Sequence, residues 1–274
     1  MKHSIPRRIL AKAGIIQMLA KRARDHTGRG SCCSKLSEFD LKASLEDPTQ
    51  FYRGCVAYYD QHLPPEIRSH RAYFSENQRG FGEDAFHVLW SILIDRFKPV
   101  NFLEIGVYRG QVLSLVALLQ RNHGIEGNNT GIGPFERVGD SASVTDYGYC
   151  PDWLADIQTN ISHFGLPQPN LVKAFSTDQN AINAINSTVW DMIYIDGNHD
   201  YEVVLEDWKN CTPNVKIGGV IILDDSGLDS GFRHPRFASG GFPGPSRIAN
   251  SVKEGGQFKE TLQVGHNRAF QRIQ

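Results

Sequence analysis

The chain has 274 residues, enough for one large α/β domain or two small ones with a substantial core. Its formal net charge at pH 7 is -1, and basic residues are concentrated only near the N-terminus, which argues against nucleic acid as an obligatory partner. The five cysteines are odd in number, scattered and without metal-type spacing. They predict a reduced, intracellular protein rather than a disulfide framework.

The N-terminal segment, residues 1–25, predicts a basic amphipathic helix with an apolar stripe that includes Ile5, Ile9 and Ile16. The stripe is narrow, so packing on the domain or on a second subunit is favoured over binding to a membrane surface. The apolar run 11–20 is too short and too polar for a membrane span. We therefore expect a cytoplasmic protein without a membrane span, which could form a homo-oligomer through its N-terminal helices.

A polar linker separates this helix from the segment 39–59, which predicts one or two aromatic-rich helices closed by Pro64 and Pro65. The segment 85–97 has apolar residues spaced for a buried helix face, and Pro99 ends that helix just before the first strand. We accordingly divide the chain into a helical N-terminal extension, residues 1–75, and a second domain, residues 76–274.

The run 102–110 predicts a strand, a turn and the start of a helix. Gly106 ends the apolar strand, and Gly110 leaves space for a ligand at the start of the helix. A nucleotide-type cofactor is seated in this way at the carboxyl end of a first parallel strand. Tyr108 and Arg109 stand where a dinucleotide fingerprint needs small residues, so a diphosphate fits poorly.

The pattern Glu104-x-Gly106-x-Tyr108-x-Gly110 resembles the first motif of class I S-adenosylmethionine (AdoMet) methyltransferases, particularly the metal-dependent catechol O-methyltransferase type. The resemblance implies that Glu104 and this turn hold the methionine end of AdoMet. Two glycines four residues apart also occur in structural turns, so that alternative stays open for this stretch alone.

Two further groups of cofactor-binding residues follow from the resemblance. The family usually has an acidic residue at the end of the second strand, where it binds the ribose; Gly133 stands there, and Glu136 is the nearest acid. The family commonly holds the adenine after the third strand, which makes Thr177 and Asp178 candidates. The alternatives are a solvent-facing Glu136 and helix capping by Thr177 and Asp178.

Acidic residues follow two later strands. Asp196 comes directly after the apolar run 192–195, and Asp224 and Asp225 follow the run 220–223. If these strands are adjacent and parallel, about 4.8 Å apart, the three carboxylates converge at one sheet edge. Such carboxylates repel one another unless a cation or protons intervene, and oxygen ligands favour Mg²⁺, with Mn²⁺ or Ca²⁺ as alternatives. Simple capping of the following helices is the other interpretation.

This arrangement also resembles the catechol, sugar and macrolide O-methyltransferases, in which an acid after strand four and a pair after strand five hold Mg²⁺. The resemblance implies that a base three residues beyond the first acid takes the proton of the substrate hydroxyl. Here that residue is His199, where the catechol enzymes have lysine. A structural histidine at a helix start is the alternative.

The C-terminal part predicts a loop over 226–246 and two strands, 258–264 and 269–273, joined as a hairpin. A loop of this length after a ligand-bearing strand favours a substrate lid. An antiparallel hairpin is the usual end of the class I methyltransferase sheet. We therefore predict a Rossmann-like, seven-stranded, mostly parallel α/β sheet with an antiparallel C-terminal hairpin.

Together these features predict an AdoMet- and Mg²⁺-dependent O-methyltransferase acting on a hydroxylated small molecule, a sugar or a glycosylated natural product. His199 and Asp196 are the predicted catalytic residues, and Asp196, Asp224 and Asp225 the predicted metal ligands. Two alternatives stay open: a non-haem iron hydroxylase-like enzyme using His199 and His234, and a non-catalytic AdoMet-binding scaffold.

Overall fold

The structure is a computed structural model that describes residues 33–76, 79–136, 138–141, 152–236, 238–252 and 256–274. The helix predicted over residues 1–25 lies outside these ranges. Within them, no helix is both long enough and apolar enough to cross a membrane.

The centre of the fold is a seven-stranded sheet with the strand order β3-β2-β1-β4-β5-β7-β6. Strands β1 to β5 run parallel, and β6 and β7 form an antiparallel hairpin along the β5 edge. The fold prediction is therefore confirmed. The strand bounds are Asn101–Ile105 (β1), Asn128–Gly133 (β2), Asn170–Lys173 (β3), Trp190–Ile195 (β4), Val215–Leu223 (β5), Phe258–Val264 (β6) and Asn267–Arg272 (β7).

Helices cover both faces of this sheet, which explains why its central strands are apolar on both sides. The described α-helices are Ala43–Glu46 (α1), Pro48–Gln61 (α2), Pro65–Ser75 (α3), Asp84–Phe97 (α4), Gln111–Asn122 (α5), Trp153–His163 (α6), Gln179–Asn186 (α7), Tyr201–Cys211 (α8) and Pro243–Val252 (α9).

Alternate residues of each central strand belong to different apolar cores. Phe102 and Met192 pack with residues of α4, α5 and α6 on one face. Leu103 and Ile193 pack with residues of α7, α8 and α9 on the other. This period of two is the geometry of an extended strand, and it aligns the strand ends along one edge.

The helices of the segment 39–59 end before Pro64 and Pro65 as expected, since α2 ends at Gln61. The sequence did not predict α3, whose first residue is Pro65. Proline suits that position because its fixed backbone angle is helical and the first turn needs no N–H donor. Helices α2 and α3 share one core with the sheet, since Phe51 and Ile67 pack in the same apolar cluster as Phe102.

The buried Asp207 on α8 should make the stability of the protein depend on pH. Asp207 is fully buried, and the side chain of Ser176 only partly offsets the loss of water around its carboxylate. Burial raises the pKa of Asp207 to about 7. The folded state thus binds this proton more tightly than the unfolded chain, and the free energy of unfolding falls as pH rises from about 4 to about 7.

We expect Asp207→Asn to be more stable than the wild type at pH 8, by roughly 4 kcal/mol at most, with little difference near pH 4.5. Urea unfolding at the two pH values measures this. Glu202, an exposed acid of the same helix, is the control as Glu202→Gln. Equal pH dependence in Asp207→Asn and the wild type would contradict the expectation.

Candidate active site

The carboxyl ends of the five parallel strands meet at one edge of the sheet, where open α/β sheets place ligands. Every residue that the sequence assigned to the site lies at or just after one of these ends. They are Glu104, Gly106, Tyr108 and Gly110 at β1, Glu136 after β2, Thr177 and Asp178 after β3, Asp196 and His199 after β4, and Asp224 and Asp225 after β5.

The turn after β1 passes directly against the backbone that follows β4. Gly106 has φ +96°, and a Cβ atom there would lie 2.1 Å from the carbonyl oxygen of Asp196. Gly110 also has a positive φ, +79°, and it directly precedes the first residue of α5. Both positions therefore need glycine, one for close approach and both for backbone conformation.

Glu104 lies beneath this turn. It is 3% exposed, and its Oε2 has no hydrogen-bond partner among the described residues. Burial raises the pKa of Glu104 to about 8, although the backbone N–H of Leu113, in the first turn of α5, partly offsets this by hydrogen bonding to the carboxylate. The site thus contains a buried carboxyl group with one free oxygen.

Aromatic residues cover the outer side of the same turn. The ring of Tyr108 lies between Phe81, at a centroid distance of 5.0 Å, and Trp153, at 4.9 Å. Gly82 donates its backbone N–H to Oε1 of Gln111 at 3.0 Å. The loop that precedes α4 therefore lies over the turn that follows β1.

The predicted ribose and adenine contacts are more open. Glu136 and Asp178 are exposed, and Thr177 is half-buried. Asp178 Oδ2 accepts the backbone N–H of Phe175 at 2.9 Å, a local turn contact, and its side chain does not cap α7 as the structural alternative expects. A cofactor role for these three residues stays a prediction.

The first acidic pair is formed by Asp196 and Asp224. Their backbone N–H groups donate to Ile105 at 2.8 Å and to Ile195 at 3.0 Å, so both residues continue the ladder of neighbouring strands. Burial and the charge of Asp224 raise the pKa of Asp196, which favours a proton on Asp196. Burial likewise raises the pKa of Tyr194, which the charges of Asp196 and Asp224 raise further.

His266, which the sequence analysis did not select, reaches this acidic edge from the turn between β6 and β7. Its Nε2 lies 3.3 Å from Oδ1 of Asp224, and its Nδ1 lies 3.8 Å from Oδ1 of Asp225. Burial opposes a charge on the ring, but the two aspartates raise the pKa of His266 to about 10. In turn, although burial disfavours the carboxylate, the charge of His266 holds the pKa of Asp224 below its usual range.

His199 lies between two carboxylates. Its Nδ1 is 2.6 Å from Oδ2 of Asp140, and its Nε2 is 3.0 Å from Oδ2 of Asp225. The ring stacks on Phe242 at a centroid distance of 4.2 Å. Burial opposes protonation, but the hydrogen bond and charge of Asp225, with Asp140, raise the pKa of His199. Asp140 was another residue that the sequence analysis did not select, because it lies in a polar loop without a motif.

The predicted metal ligands share this edge but differ in their partners. Asp196 interacts with Asp224, whereas the carboxylate of Asp225 contacts His199 and His266. Among the described residues, no three His, Cys, Asp or Glu side chains are arranged so that they could hold a metal ion together. His234, which the iron alternative requires, is exposed, and its Nδ1 lies 3.0 Å from the carbonyl oxygen of Pro235.

One family model and several solved structures are similar to this chain. Residues 103–226, which run from β1 to just beyond the two aspartates after β5, match the family model described as a methyltransferase domain. The predicted resemblance to class I methyltransferases and the prediction of a methyltransferase enzyme are thereby confirmed. No curated protein matches the chain significantly.

Several solved structures have a fold similar to most of this chain. The S-adenosylhomocysteine-bound methyltransferase PaMTH1 of Podospora anserina is 14% identical, with a TM-score of 0.55 over 79% of this chain and 92% of that one. A cofactor-bound protein from MTB is 16% identical, with a TM-score of 0.54 over 79% and 94%. The Bacillus cereus O-methyltransferase in complex with S-adenosylhomocysteine is 15% identical, with a TM-score of 0.50 over 78% and 93%. At these identities the likeness shows the fold.

Proposed function

We propose that this chain is an AdoMet-dependent O-methyltransferase that acts on a hydroxyl group of a small molecule, a sugar or a glycosylated natural product. The observation that carries this proposal is the placement of His199. Asp140 holds it at the carboxyl end of β4, next to the strand whose turn carries the cofactor motif. The solved structures of similar fold with bound S-adenosylhomocysteine support the choice of cofactor.

The turn after β1 fits the methionine end of AdoMet. Gly106 and Gly110 have no side chains to obstruct it, and two buried polar atoms beside it lack hydrogen-bond partners among the described residues: Oε2 of Glu104 and Nε2 of Gln111. A carboxyl oxygen and an amide nitrogen complement an ammonium and a carboxylate group. When bound, AdoMet supplies a methyl group on a positively charged sulfur.

His199 is the proposed general base for the substrate hydroxyl. Asp140 accepts a hydrogen bond from Nδ1, so the proton acceptor must be Nε2, which faces Asp225 and the acidic edge. The same carboxylate stabilises the imidazolium that forms when the proton arrives. Beyond this, the residues of the site contribute mainly by holding the hydroxyl close to the methyl group and by excluding water.

Mg²⁺ is the proposed metal, and Asp196, Asp224 and Asp225 would hold it. Two observations support this: the ligands are hard oxygen donors, and all three follow the adjacent parallel strands β4 and β5 at one edge of the sheet. Without a cation, burial and the charge of Asp224 raise the pKa of Asp196 and so favour its neutral form. Although burial opposes a charge on His266, Asp224 and Asp225 raise its pKa and so favour an imidazolium beside Asp224. When bound, Mg²⁺ would lower the pKa of a coordinated hydroxyl.

Calorimetric titration of the full chain with S-adenosylhomocysteine, with and without Mg²⁺, tests the proposed function. We expect saturable binding at one site per chain, because the turn after β1 offers a single set of partners to the methionine end. Absence of binding under both conditions would refute the proposal.

The remaining alternatives give different results in two further assays. Cofactor binding without methyl transfer to any hydroxylated compound of a broad library would indicate the non-catalytic scaffold. Iron-dependent oxygen consumption without AdoMet binding would indicate the iron enzyme.

A further inference from the structure

Gln111 is the first residue of α5, directly after the turn that carries the cofactor motif. Its side chain is buried, with 9% of the residue exposed. Oε1 accepts the backbone N–H of Gly82, and this fixes the amide orientation because an N–H group needs an acceptor. Nε2 is then left buried with no hydrogen-bond partner among the described residues. An unpaired buried donor costs stability unless a ligand satisfies it.

The loop 80–82 is built around this side chain. A Cβ atom on Gly80 would lie 2.0 Å from Oε1 of Gln111, and one on Gly82 would lie 3.0 Å from both amide heteroatoms. Phe81, between the two glycines, contacts Tyr108 of the cofactor motif. Gln111 therefore lies between a covering loop and the turn after β1.

Buried polar contacts also connect the end of the covering loop, at Glu83, with the start of α5, at Gln111. His87 Nδ1 lies 3.2 Å from the carbonyl oxygen of Glu83, and His87 Nε2 lies 3.1 Å from Nδ1 of His70. His70 Nε2 lies 2.8 Å from Oγ of Ser114, which is 3.1 Å from the carbonyl oxygen of Gln111. Burial lowers the pKa of both His70 and His87, so each neutral ring carries one proton. His87 then donates to the Glu83 carbonyl and accepts from His70, and His70 accepts from the Ser114 hydroxyl, whose single proton is not shared with the Gln111 carbonyl. The end of the loop and the start of α5 are thus held in fixed positions.

We propose that Gln111 is a cofactor-binding residue whose side-chain amide donates a hydrogen bond to the carboxylate at the methionine end of AdoMet. This inference rests on the proposed function. The N-terminus of a helix favours a negative group, and the carboxylate is the anionic part of AdoMet. Glu104, whose carboxylate accepts the N–H of Leu113 in the same helical turn, is the complementary partner for the ammonium group. Oε1 of Gln111 meanwhile accepts the backbone N–H of Gly82 and so holds the loop 80–82 over the methionine end of the cofactor.

Comparing the binding of two ligands distinguishes a cofactor-binding role of Gln111 from a purely structural role. S-adenosylhomocysteine has the amino-acid end, whereas 5′-methylthioadenosine lacks it and keeps the adenosine part. In Gln111→Glu the oxygen that binds Gly82 is retained, and an oxygen replaces the donor. We expect calorimetry on the full chain to show a loss of about 10- to 100-fold in affinity for S-adenosylhomocysteine and less than about twofold for 5′-methylthioadenosine.

Gln111→Met is the second variant, because it removes the donor without adding a charge and keeps a similar volume. It should show the same dependence on ligand with a smaller loss, and thermal melting of both variants reports whether they fold. Equal losses for the two ligands, or no loss for S-adenosylhomocysteine, would overturn the role of Gln111 alone. Failure of the wild type to bind S-adenosylhomocysteine would overturn both this role and the proposed function.

Discussion

Replacing His199 with glutamine is expected to lower kcat/KM for methyl transfer by about 10²- to 10⁴-fold, the usual contribution of a general base. Glutamine keeps hydrogen-bonding capacity toward Asp140 but accepts no proton from a substrate hydroxyl. Binding of S-adenosylhomocysteine should stay near the wild-type value, since the proposed cofactor contacts lie at the β1 turn. Initial rates at saturating AdoMet, combined with calorimetry, measure both effects.

The pH profile gives this prediction a second readout. Asp225 and Asp140 raise the pKa of His199, and a base acts only when deprotonated. Wild-type kcat/KM should therefore rise with pH, with a midpoint above the ordinary histidine value of about 6.5. In His199→Gln, this rise of kcat/KM with pH should be absent. The exposed His234, as His234→Gln, is the matched control. A His199 variant with wild-type rate and pH profile would refute the assignment.

Replacing Asp225 with alanine is expected to lower kcat/KM by at least about 100-fold in the presence of Mg²⁺. Two losses contribute. The variant lacks a proposed ligand of the ion, and the ion supplies several kcal/mol of charge stabilisation in such reactions. It also leaves Nε2 of His199 without its carboxylate partner, which lies at 3.0 Å in the wild type.

Asp196→Ala should have a similar effect through the same ion. Asp229→Asn is the control, because Asp229 is an exposed acid four residues beyond Asp225 that has a positive φ, a conformation that asparagine tolerates. Activity is measured over a Mg²⁺ titration and in EDTA. Full activity of both alanine variants in EDTA would exclude the metal mechanism.

The predictable part of the site is the part that local sequence encodes. The apolar runs that end in Gly106, Asp196 and Asp224 are strands in the structure, and their parallel alignment brings these residues to one edge. These positions are predictable because a buried parallel strand has a recognisable apolar composition, and because the carboxyl ends of all parallel strands lie at the same edge of the sheet. Gln111 could also have been selected, since it directly follows the motif.

Other site residues had no such signal. His266 lies in a hairpin turn, where the sequence indicates only a change of direction, and it reaches the aspartates because β7 pairs with β5. Asp140 belongs to a polar loop, and its contact with His199 joins positions 59 residues apart. Helix α3 was not predicted either, because a proline pair that follows the end of one helix can also supply the first residue of the next.

The sequence by itself therefore determined the strands, the glycine turn and the acids at the strand ends, since these depend on backbone geometry and burial over a few residues. Only the tertiary structure decided which charged side chains of the site contact one another. It placed His266 and His199 against Asp224 and Asp225, and the covering loop against Gln111. The physical reason is that the pKa and the hydrogen-bond partners of a buried group depend on its neighbours in space, which distant segments supply.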